Sequence, residues 1–444
     1  MPNDIVIRFY RKGDEEGIVN AINSSFGSFR DFGLNKDIWL NYSLIDEGFK
    51  EENAVVAEVD GKIVGHIQIV DRDLSLGDNF FVKNGGIANV CTMPEYRGRG
   101  IASRMMEKAL EKMIDEKYLI SSLFTGYFGN AHRIYRRYRY GDTFFSYQFS
   151  AKREEIEKIL KNMRDFPSIR VENYVEGCEE DLIKVYERWG KGYSGIVRRS
   201  RKYWIKKFFE RASFHTFFYL PFDSREIYIA YDGEKVVGYG YILTGPRRLT
   251  PDKGRKYITA SIREIVYDPR DKRYLLALLY RILNDVYEID KVKNVDVLLP
   301  PYPEYIIPLR GFKIFIGDGV FMVNILDLIG LLRNMTTLFN ERIGDLNEPL
   351  SNIDLSIKSI YGEATIKYDG DKVTVDKGIL SENIFEIDYH LMTKMIFGIK
   401  TFGDGIYDGD IRIVKSNRNI GEIIAFMDTI FPENKFHIWS SDHW

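Results

Sequence analysis

Cysteine is scarce in this chain, which has only Cys91 and Cys178 among its 444 residues. Two thiols are too few for the disulfide framework of a small secreted domain or for a cysteine-rich metal site. No apolar run approaches the roughly 18 residues that identify a membrane-spanning helix. The first residues, Met1 to Asp4, also lack the basic start and apolar segment of a signal peptide. The sequence therefore predicts a cytoplasmic protein with no membrane partner.

An excess of charge of either sign is also missing. The 63 Lys and Arg residues nearly balance the 65 Asp and Glu residues, for a net charge of −2. Such a balance argues against a protein dedicated to nucleic-acid binding. The six histidines show no H-x-H or H-x-x-x-H spacing, so we expect no metal site.

The length and composition that are present indicate an ordinary globular protein of several domains. Hydrophobic residues make up 45% and charged residues 29% of the chain. At roughly 150 residues per domain, the length suggests about three domains. We place them over residues 1–158, 159–316 and 317–444, because residues 151–165 are rich in Lys, Glu and Arg and the pattern changes again near 317.

Residues 1–158 alternate strand-like and helix-like patterns. Period-two and β-branched runs predict strands over 5–9, 54–59, 62–70 and 87–92, with a hairpin turn at Asp60-Gly61. Helical spacing predicts helices over 15–25, 35–45 and 102–114. Together these predict a mixed α/β layer with an antiparallel hairpin first and a strand-turn-helix unit afterwards.

Residues 159–316 repeat that order. We predict helices over 181–189 and 200–209, a hairpin of 226–231 and 236–243 about Asp232-Gly233, a strand over 257–267 and a helix over 274–286. Pro94 precedes Tyr135 in the first region by nearly the interval that separates Pro269 from Tyr305 in the second. This agreement points to an internal duplication.

Residues 317–444 have a different pattern, typical of a third, α+β domain. We predict a strand over 320–325, a helix over 326–335 and a hairpin of 363–368 and 372–376 that turns at Asp369-Gly370. Helices follow over 389–397 and 421–430.

The stretch from Gly85 to Ala102 is the most informative for function. Its core, Arg97-x-x-Gly100-x-Ala102, joins the end of a strand to the start of a helix. Small residues there let backbone N–H groups approach an anion, and the helix N-terminus adds partial positive charge, so a pyrophosphate suits the turn. The spacing is neither the G-x-G-x-x-G of a dinucleotide fold nor a P-loop. A tight turn without a ligand is the alternative.

This stretch resembles the acetyl-coenzyme A motif of the GNAT N-acetyltransferases, in the segment Pro94-x-x-Arg97-Gly98-x-Gly100-Ile101-Ala102. Residues 130–141 resemble that family's Asn and aromatic helix. The three-part plan is similar to the Eis-like (enhanced intracellular survival) acetyltransferases. The resemblance implies tandem GNAT folds over 1–158 and 159–316, each a mostly antiparallel mixed sheet flanked by helices, and a sterol carrier protein-like domain over 317–444. It also implies a homo-oligomer, in that family a hexamer.

The resemblance implies acetyl-CoA as co-substrate and assigns residues to it. The backbone amides from Arg97 to Ala102 would hold the pyrophosphate, with the Arg97 and Arg99 side chains available for the phosphates. Val90 and Thr92 would offer backbone groups to the pantetheine arm. The cofactor-binding residues implied are Val90, Thr92, Arg97, Gly98, Arg99, Gly100, Ile101, Ala102 and Asn130.

Acetyl transfer to an amine requires a deprotonated amine and a proton for the departing thiolate. The resemblance makes Tyr135 the general acid; a packed tyrosine is the alternative in a chain with 29 tyrosines. In Eis-like enzymes the terminal carboxylate is the base, which Trp444 would supply here with Asp442 and His443 alongside. Alternatively, Trp439 and Trp444 only anchor the tail.

Other chemistry-bearing residues are predicted to have structural roles. The segment Arg270-Asp271-Lys272-Arg273 has no glycine at the corresponding turn of the second region, so we expect no cofactor there. Cys91 is interpreted as a packed small residue. The run of arginines from Arg133 to Arg139 is interpreted as a solvated face or a contact to coenzyme A phosphate.

The sequence thus predicts an acetyl-CoA-dependent N-acetyltransferase that acts on a primary amine of a small multi-amine molecule, like an aminoglycoside or a polyamine. Asp31, Asp37 and Asp442 are candidates for attracting such a cation. Acetylation of protein lysines or N-termini is one alternative. A non-enzymatic sensor of coenzyme A or an apolar ligand is another.

Overall fold

The structure is a computed structural model that describes residues 4–163, 166–210, 213–215, 218–219, 223–243, 258–347 and 350–444. The described residues do not include Met1 to Asn3. They also do not include Tyr257, the first residue of the strand predicted over 257–267.

The N-terminal part is a run of strands with helices between them, in the order predicted. Its elements are β1 (Ile5–Phe9), α1 (Glu15–Ser25), α2 (Gly27–Phe32), α3 (Lys36–Ile45), β2 (Phe49–Val59), β3 (Lys62–Ser75), β4 (Phe81–Thr92), α4 (Ile101–Asp115), β5 (Ile120–Gly126), α5 (Asn130–Arg137) and β6 (Gly141–Lys152). The hairpin turn is confirmed: Asp60 and Gly61 both have positive φ, 51° and 77°, as a two-residue turn with the twist of its strands requires. The strands are longer than predicted, because pairing with neighbours extends β2 back to Phe49 and β3 on to Ser75.

The second part repeats this alternation. Its elements are α6 (Arg153–Asn162), β7 (Ile169–Asn173), α7 (Glu179–Gly190), β8 (Tyr193–Ser194), α8 (Arg201–Tyr203), β9 (Ser213–His215), β10 (Phe218–Tyr219), β11 (Ile227–Asp232), β12 (Lys235–Leu243), β13 (Ile258–Tyr267), α9 (Arg273–Tyr287), β14 (Val292–Val297) and α10 (Pro303–Ile306). Helix α8 continues as a π-helical turn over Trp204–Phe209. The boundary predicted after residue 158 falls inside α6.

The third part contains a separate sheet and most of the remaining helices. Its elements are β15 (Lys313–Ile325), α11 (Leu328–Asn334), α12 (Thr336–Gly344), β16 (Ile353–Ser359), β17 (Gly362–Tyr368), β18 (Val373–Lys377), β19 (Ile384–Ile387), α13 (Tyr389–Ile396), α14 (Phe402–Asp408), β20 (Ile411–Lys415), α15 (Ile420–Ile430) and β21 (Lys435–Phe436). Strands β16 to β20 form the sheet in the order β18-β17-β16-β19-β20. The turn at Asp369-Gly370 is confirmed.

One twelve-stranded sheet runs through the first and second parts, in the order β1-β2-β3-β4-β5-β15-β6-β14-β13-β12-β11-β7. Strand β15 lies between β5 and β6 and pairs antiparallel with both. The boundary predicted after residue 316 therefore falls inside β15, and the separate α+β unit begins after that strand.

The two halves of this sheet share one pairing pattern. Strand β3 is antiparallel to β4, which is parallel to β5 across the connecting helix α4. Strand β12 is likewise antiparallel to β13, which is parallel to β14 across α9.

The buried apolar side chains form two cores. The residues in each core do not correspond to the three domains predicted from the sequence. The first core contains side chains of both the first and the third parts, such as Trp39 and Phe339. The second core belongs mainly to the second part. It also contains Phe149 and Ala151 of β6, and Trp439 from the chain's last segment inserts into it. Trp444, five residues further on, lies in the first core. The last segment therefore connects both cores.

Candidate active site

Strands β4 and β5 are neighbours at one end and separate toward the other. Their pairing covers only Asn84–Ile87 of β4 and Ile120–Leu123 of β5, although β4 continues to Thr92 and β5 to Gly126. Beside this point β4 carries a bulge, where Asn89 has a φ of 52° and the register with β3 shifts. Bulges bend the strand that carries them. The result is a cleft in the sheet, with backbone groups of residues 88–92 on one side of it.

Helix α4 begins beside this cleft with unused donors. Its N-terminal residue Ile101 follows Gly98 and Gly100, whose φ values are +78° and +75°. A Cβ at either glycine would meet no protein atom within 4 Å, so packing does not require glycine there, whereas the positive φ favours it. In the part of the chain that the structure describes, no side chain caps the start of this helix. The first N–H groups of a helix have no partner inside it, so this end offers donors and partial positive charge to an anion.

Close packing holds α4 against the sheet. A Cβ on Gly65 would lie 2.9 Å from the Met105 side chain, and one on Gly85 would overlap that of Met113. Met105, Met106, Ala109 and Met113 are buried, as the helical spacing predicts. The donors at the start of α4 are therefore fixed relative to β4.

A cavity of about 440 Å³ lies at the start of α4 and the end of β4. It brings together nearly all the residues assigned to the cofactor from the sequence. Those lining it are Val90, Thr92, Arg97, Gly98, Gly100, Ile101, Ala102 and Asn130. Arg99 is outside that lining, and its guanidinium lies 5.2 Å from the Tyr96 ring centre. The Arg97 Nε donates to the Thr92 carbonyl at 3.1 Å.

Tyr135 lines the same cavity from α5. Its side chain is buried, and its ring packs on Tyr140 with 6.1 Å between ring centres. Burial, and secondarily the nearby Cys91, raises the pKa of the Tyr135 phenol well above its ordinary value. The hydroxyl therefore keeps its proton at neutral pH. Burial also raises the pKa of the Cys91 thiol to about 12, so this cysteine is not a thiolate at neutral pH.

The arginines of α5 and of the turn after it divide between two environments. Arg137 lines the cavity. Arg136 donates to the Tyr389 hydroxyl at 3.2 Å, and Arg139 donates to the Ile360 carbonyl at 3.1 Å, both in the third part. Sequence reasoning missed this second role, because nothing in the spacing shows which arginines face a distant segment.

Trp444 lies on the opposite face of the sheet from Tyr135. Its indole Nε1 donates to the Ser122 carbonyl at 3.3 Å, and three of its ring atoms lie 2.7 Å from where a Cβ of Gly86 would be. The preceding residue, His443, stacks on Phe124 with 3.9 Å between ring centres. The last residues therefore cover the point where β4 and β5 separate.

The alternation of β5 shows that these are two faces of one strand. Ser121 hydrogen-bonds to Tyr140, which packs on Tyr135. Phe124 contacts both His443 and Trp444. Residues 121 and 124 point to opposite faces, because side chains alternate along a strand. The cavity with Tyr135 and the tail thus flank the cleft from its two sides.

A second cavity, of about 340 Å³, lies on the tail side. Aromatic rings from several strands line it, including Phe124 of β5, Phe321 of β15 and Phe436 of β21. Its polar side chains include His437 and His443. Burial lowers the pKa of His437 to about 3, so that imidazole is neutral at physiological pH. None of the described lining residues of this cavity is an Asp or Glu.

The three carboxylates considered for substrate attraction lie elsewhere. Asp31 and Asp37 are exposed, and neither lines a described cavity of the cleft. Asp442 is fully buried and accepts hydrogen bonds from Arg199. The structure therefore does not bring them together at the cleft.

The corresponding turn of the second part differs from the start of α4. The carboxylate of Asp271 accepts from the Arg273 backbone N–H at 2.9 Å, so it occupies a donor at the start of α9. Between Asp268 and Arg273 no residue has positive φ. Tyr305, which matches Tyr135 in spacing, is fully buried and receives a hydrogen bond from the Trp189 indole at 3.0 Å.

Among the described residues no group of three or more His, Cys, Asp or Glu side chains is placed to hold a metal ion. In the same residues, no helix has the length and apolar character to cross a bilayer.

Comparison with known proteins agrees with this geometry. Residues 6–142 match the family model described as acetyltransferase (GNAT) domain. An uncharacterized N-acetyltransferase of Archaeoglobus fulgidus is 29% identical over 122 residues, which cover 27% of this chain and 81% of that protein.

Solved structures share the fold of the whole chain. A probable N-acyltransferase of Enterococcus faecalis superposes with a TM-score of 0.70 at 16% identity, over 98% of this chain and all of that one. Eis1 from Mycobacterium abscessus superposes with a TM-score of 0.61 at 16% identity, over 99% of this chain and all of that one. Residues 6–142 therefore match the GNAT domain of acetyltransferases, and the protein is an acetyltransferase enzyme.

Proposed function

We propose that this enzyme transfers an acetyl group from acetyl-CoA directly to a primary amine of a small molecule, at the cleft between β4 and β5. One observation carries the proposal: an uncapped helix start with open glycines and a buried, protonated tyrosine line the same cavity.

The residues present fit the proposed co-substrate, which supplies an acetyl thioester and a pyrophosphate. Backbone N–H groups from Gly98 to Ala102 would bind the pyrophosphate, because the glycines leave that space open. Arg97, Arg137 and Asn130 would contribute polar contacts from the cavity wall. Val90 and Thr92, on the unpaired side of β4, would offer backbone groups to the pantetheine arm.

Tyr135 would act as the general acid. Its pKa lies above neutral pH, so the phenol carries the proton that the departing thiolate requires. A positioned proton donor contributes about 10²–10⁴-fold to such reactions. The phenol would therefore stay protonated until it donates its proton to the departing thiolate of coenzyme A.

The opposite face of the cleft would supply the base. We propose the α-carboxylate of Trp444 as the base that takes the proton of the attacking amine, because the Trp444 indole lies on the side of the sheet away from Tyr135. An acid and a base on opposite faces would keep the two proton transfers separate.

For the architecture we propose an Eis-like plan of two GNAT units and a sterol carrier protein-like unit. The shared pairing pattern of the two sheet halves supports a duplication. Asp271 at the start of α9 supports a second unit without cofactor. The hexamer stays a prediction.

The acceptor is proposed to be a small multi-amine molecule that also has an apolar portion. The cavity on the tail side, rich in aromatic rings and without carboxylates among its described lining, fits apolar atoms next to the reacting amine. A purely cationic polyamine would find no described carboxylate in this cavity.

Thiol release with a panel of amines tests the proposal, with products identified by mass spectrometry. The panel holds spermidine, an aminoglycoside, an arylalkylamine and a lysine peptide. We expect N-acetylated products from small amines, with the best kcat/KM for those with an apolar portion. Acetylation of the peptide alone would replace the small-molecule acceptor with protein lysine. An absence of thiol release with every amine would refute the proposed activity.

A further inference from the structure

The tail that carries Trp444 is held by a buried ionic cluster two residues earlier. Asp442 is fully buried, and its carboxylate accepts from Arg199 Nη2 at 2.7 Å and from the Tyr203 hydroxyl at 2.9 Å. Both donors belong to the second part of the chain. The neighbouring Ser441 hydroxyl donates to Glu264, also of the second part, at 2.7 Å.

The cluster continues beyond these contacts. Arg199 makes a bidentate pair with Glu264, with both N···O distances at 2.8 Å. Lys207 donates to Tyr203 at 2.8 Å and to Asp46 of the first part at 2.9 Å. Arg72 pairs with the same Asp46 at 2.6 Å.

Three carboxylates and three cations thus lie together in the interior. They are Asp46, Glu264, Asp442, Arg72, Arg199 and Lys207, and the side chains of all six are nearly or fully buried. Buried ion pairs contribute little to stability over apolar packing, because desolvation offsets their attraction. They do fix which groups meet, since an unmatched buried charge is costly.

We propose that Asp442 is a positioning residue that fixes Trp444 at the cleft, and that the second part of the chain serves as the clamp for this tail. Two residues of chain span at most about 7 Å, so the anchor at Asp442 limits where Trp444 can lie. Trp439 adds a second attachment, because its ring packs 5.0 Å from that of Trp189 in the second core. This inference rests on the proposed function, in which Trp444 supplies the base.

The clamp also gives a role to the second part of the chain, which has no turn suited to the cofactor. Its donors and carboxylates face the tail and the first part, while the start of α9 is occupied by Asp271. The duplicated unit would thus contribute to catalysis through the position of another segment.

The test compares Asp442→Asn with Asp268→Asn. Asp268 is a matched control, because it is also a buried carboxylate of the second part. Its ion-pair partners, Arg188, Lys235 and Arg270, all belong to that same part. Three quantities are measured for each full-length variant: kcat with the best amine, Kd for acetyl-CoA, and the rate at which carboxypeptidase releases Trp444 well below the melting temperature.

For Asp442→Asn we expect kcat to fall about 10²-fold, as for a displacement of about 1 Å at a reacting group. Release of Trp444 should accelerate, while the Kd for acetyl-CoA stays the same. In Asp268→Asn the release of Trp444 should stay slow, and kcat should fall less than in Asp442→Asn. This difference should remain even if both variants lower the melting temperature equally. Equal losses in both variants, or unchanged kcat and release in Asp442→Asn, would overturn the positioning role.

The release assay separates this inference from the proposed function. If the wild type acetylates no amine, protection of Trp444 still reports whether Asp442 holds the tail. Should Asp442→Asn fail to fold, Tyr203→Phe removes one hydroxyl donor to the Asp442 carboxylate and takes its place in the comparison. Unchanged release and kcat in that variant would then overturn the proposal.

Discussion

Gly86 gives the sharpest structural prediction, because its missing side chain makes room for Trp444. A Cβ at this position would lie 2.7 Å from three ring atoms of the indole, whereas carbon atoms in contact prefer about 3.5–4.0 Å. In Gly86→Ala the indole must therefore move by about 1 Å, at an overpacking cost of about 1–3 kcal/mol. A shift of that size at a reacting group costs about 10²-fold in rate.

Steady-state kinetics and acetyl-CoA titration of Gly86→Ala check this. We expect kcat to fall about 10²-fold with an unchanged Kd for acetyl-CoA, because the new methyl group faces the tail and not the cofactor cavity. Gly344→Ala is the matched control, since a Cβ there meets nothing within 4 Å and the residue lies in the third part. A kcat for Gly86→Ala within about twofold of that control would refute the placement of Trp444 in the mechanism.

Three further predictions follow from the site and the core. Gly100→Ala forces a residue with a Cβ into φ +75° and should weaken acetyl-CoA binding about tenfold by calorimetry; unchanged affinity would contradict the anion site at α4. Deleting Trp444, or extending the chain beyond it, should abolish turnover but preserve acetyl-CoA binding; full activity would remove the carboxylate from the mechanism. Burial lowers the pKa of His66 to about 4 and that of His437 to about 3, so the unfolded chain takes up these protons first as pH falls below ~6.5. The free energy of unfolding should therefore be about 2.5 kcal/mol lower at pH 5.5 than at pH 7, and His437→Gln should remove about half of that loss in denaturant titrations; an equal loss in the variant would contradict the assignment.

Sequence patterns predicted the helices and turns whose conformation depends mainly on neighbouring residues. The turns at Asp60-Gly61 and Asp369-Gly370 follow from residues that tolerate positive φ. Helix α4 follows from the spacing of its methionines. The turn proposed to bind the cofactor is identifiable from sequence because its glycines, its helix start and its preceding strand are contiguous.

Local sequence patterns do not predict contacts between segments that are far apart in the sequence. The boundary near 316 falls inside β15 because that strand's partners, β5 and β6, lie far away in the sequence. The sequence makes Asp442 a candidate for attracting a cationic substrate, whereas the structure buries its side chain. A lone carboxylate in a polar segment gives no sign of partners such as Arg199, more than 200 residues earlier.

The exposed position of Arg99 shows the limit of a motif even at short range. The motif assigns residues to the turn, but the side-chain direction depends on the local fold, which places this guanidinium over Tyr96 and outside the cavity lining.

The most direct test of the account is the turnover number of Tyr135→Phe, measured by thiol release at saturating acetyl-CoA and amine. Loss of the hydroxyl alone should lower kcat by about 10²–10⁴-fold and leave the Kd for acetyl-CoA unchanged, since the buried ring remains in place. A variant that turns over as fast as the wild type would contradict the assignment of the proton donor and of this cavity as the site of transfer.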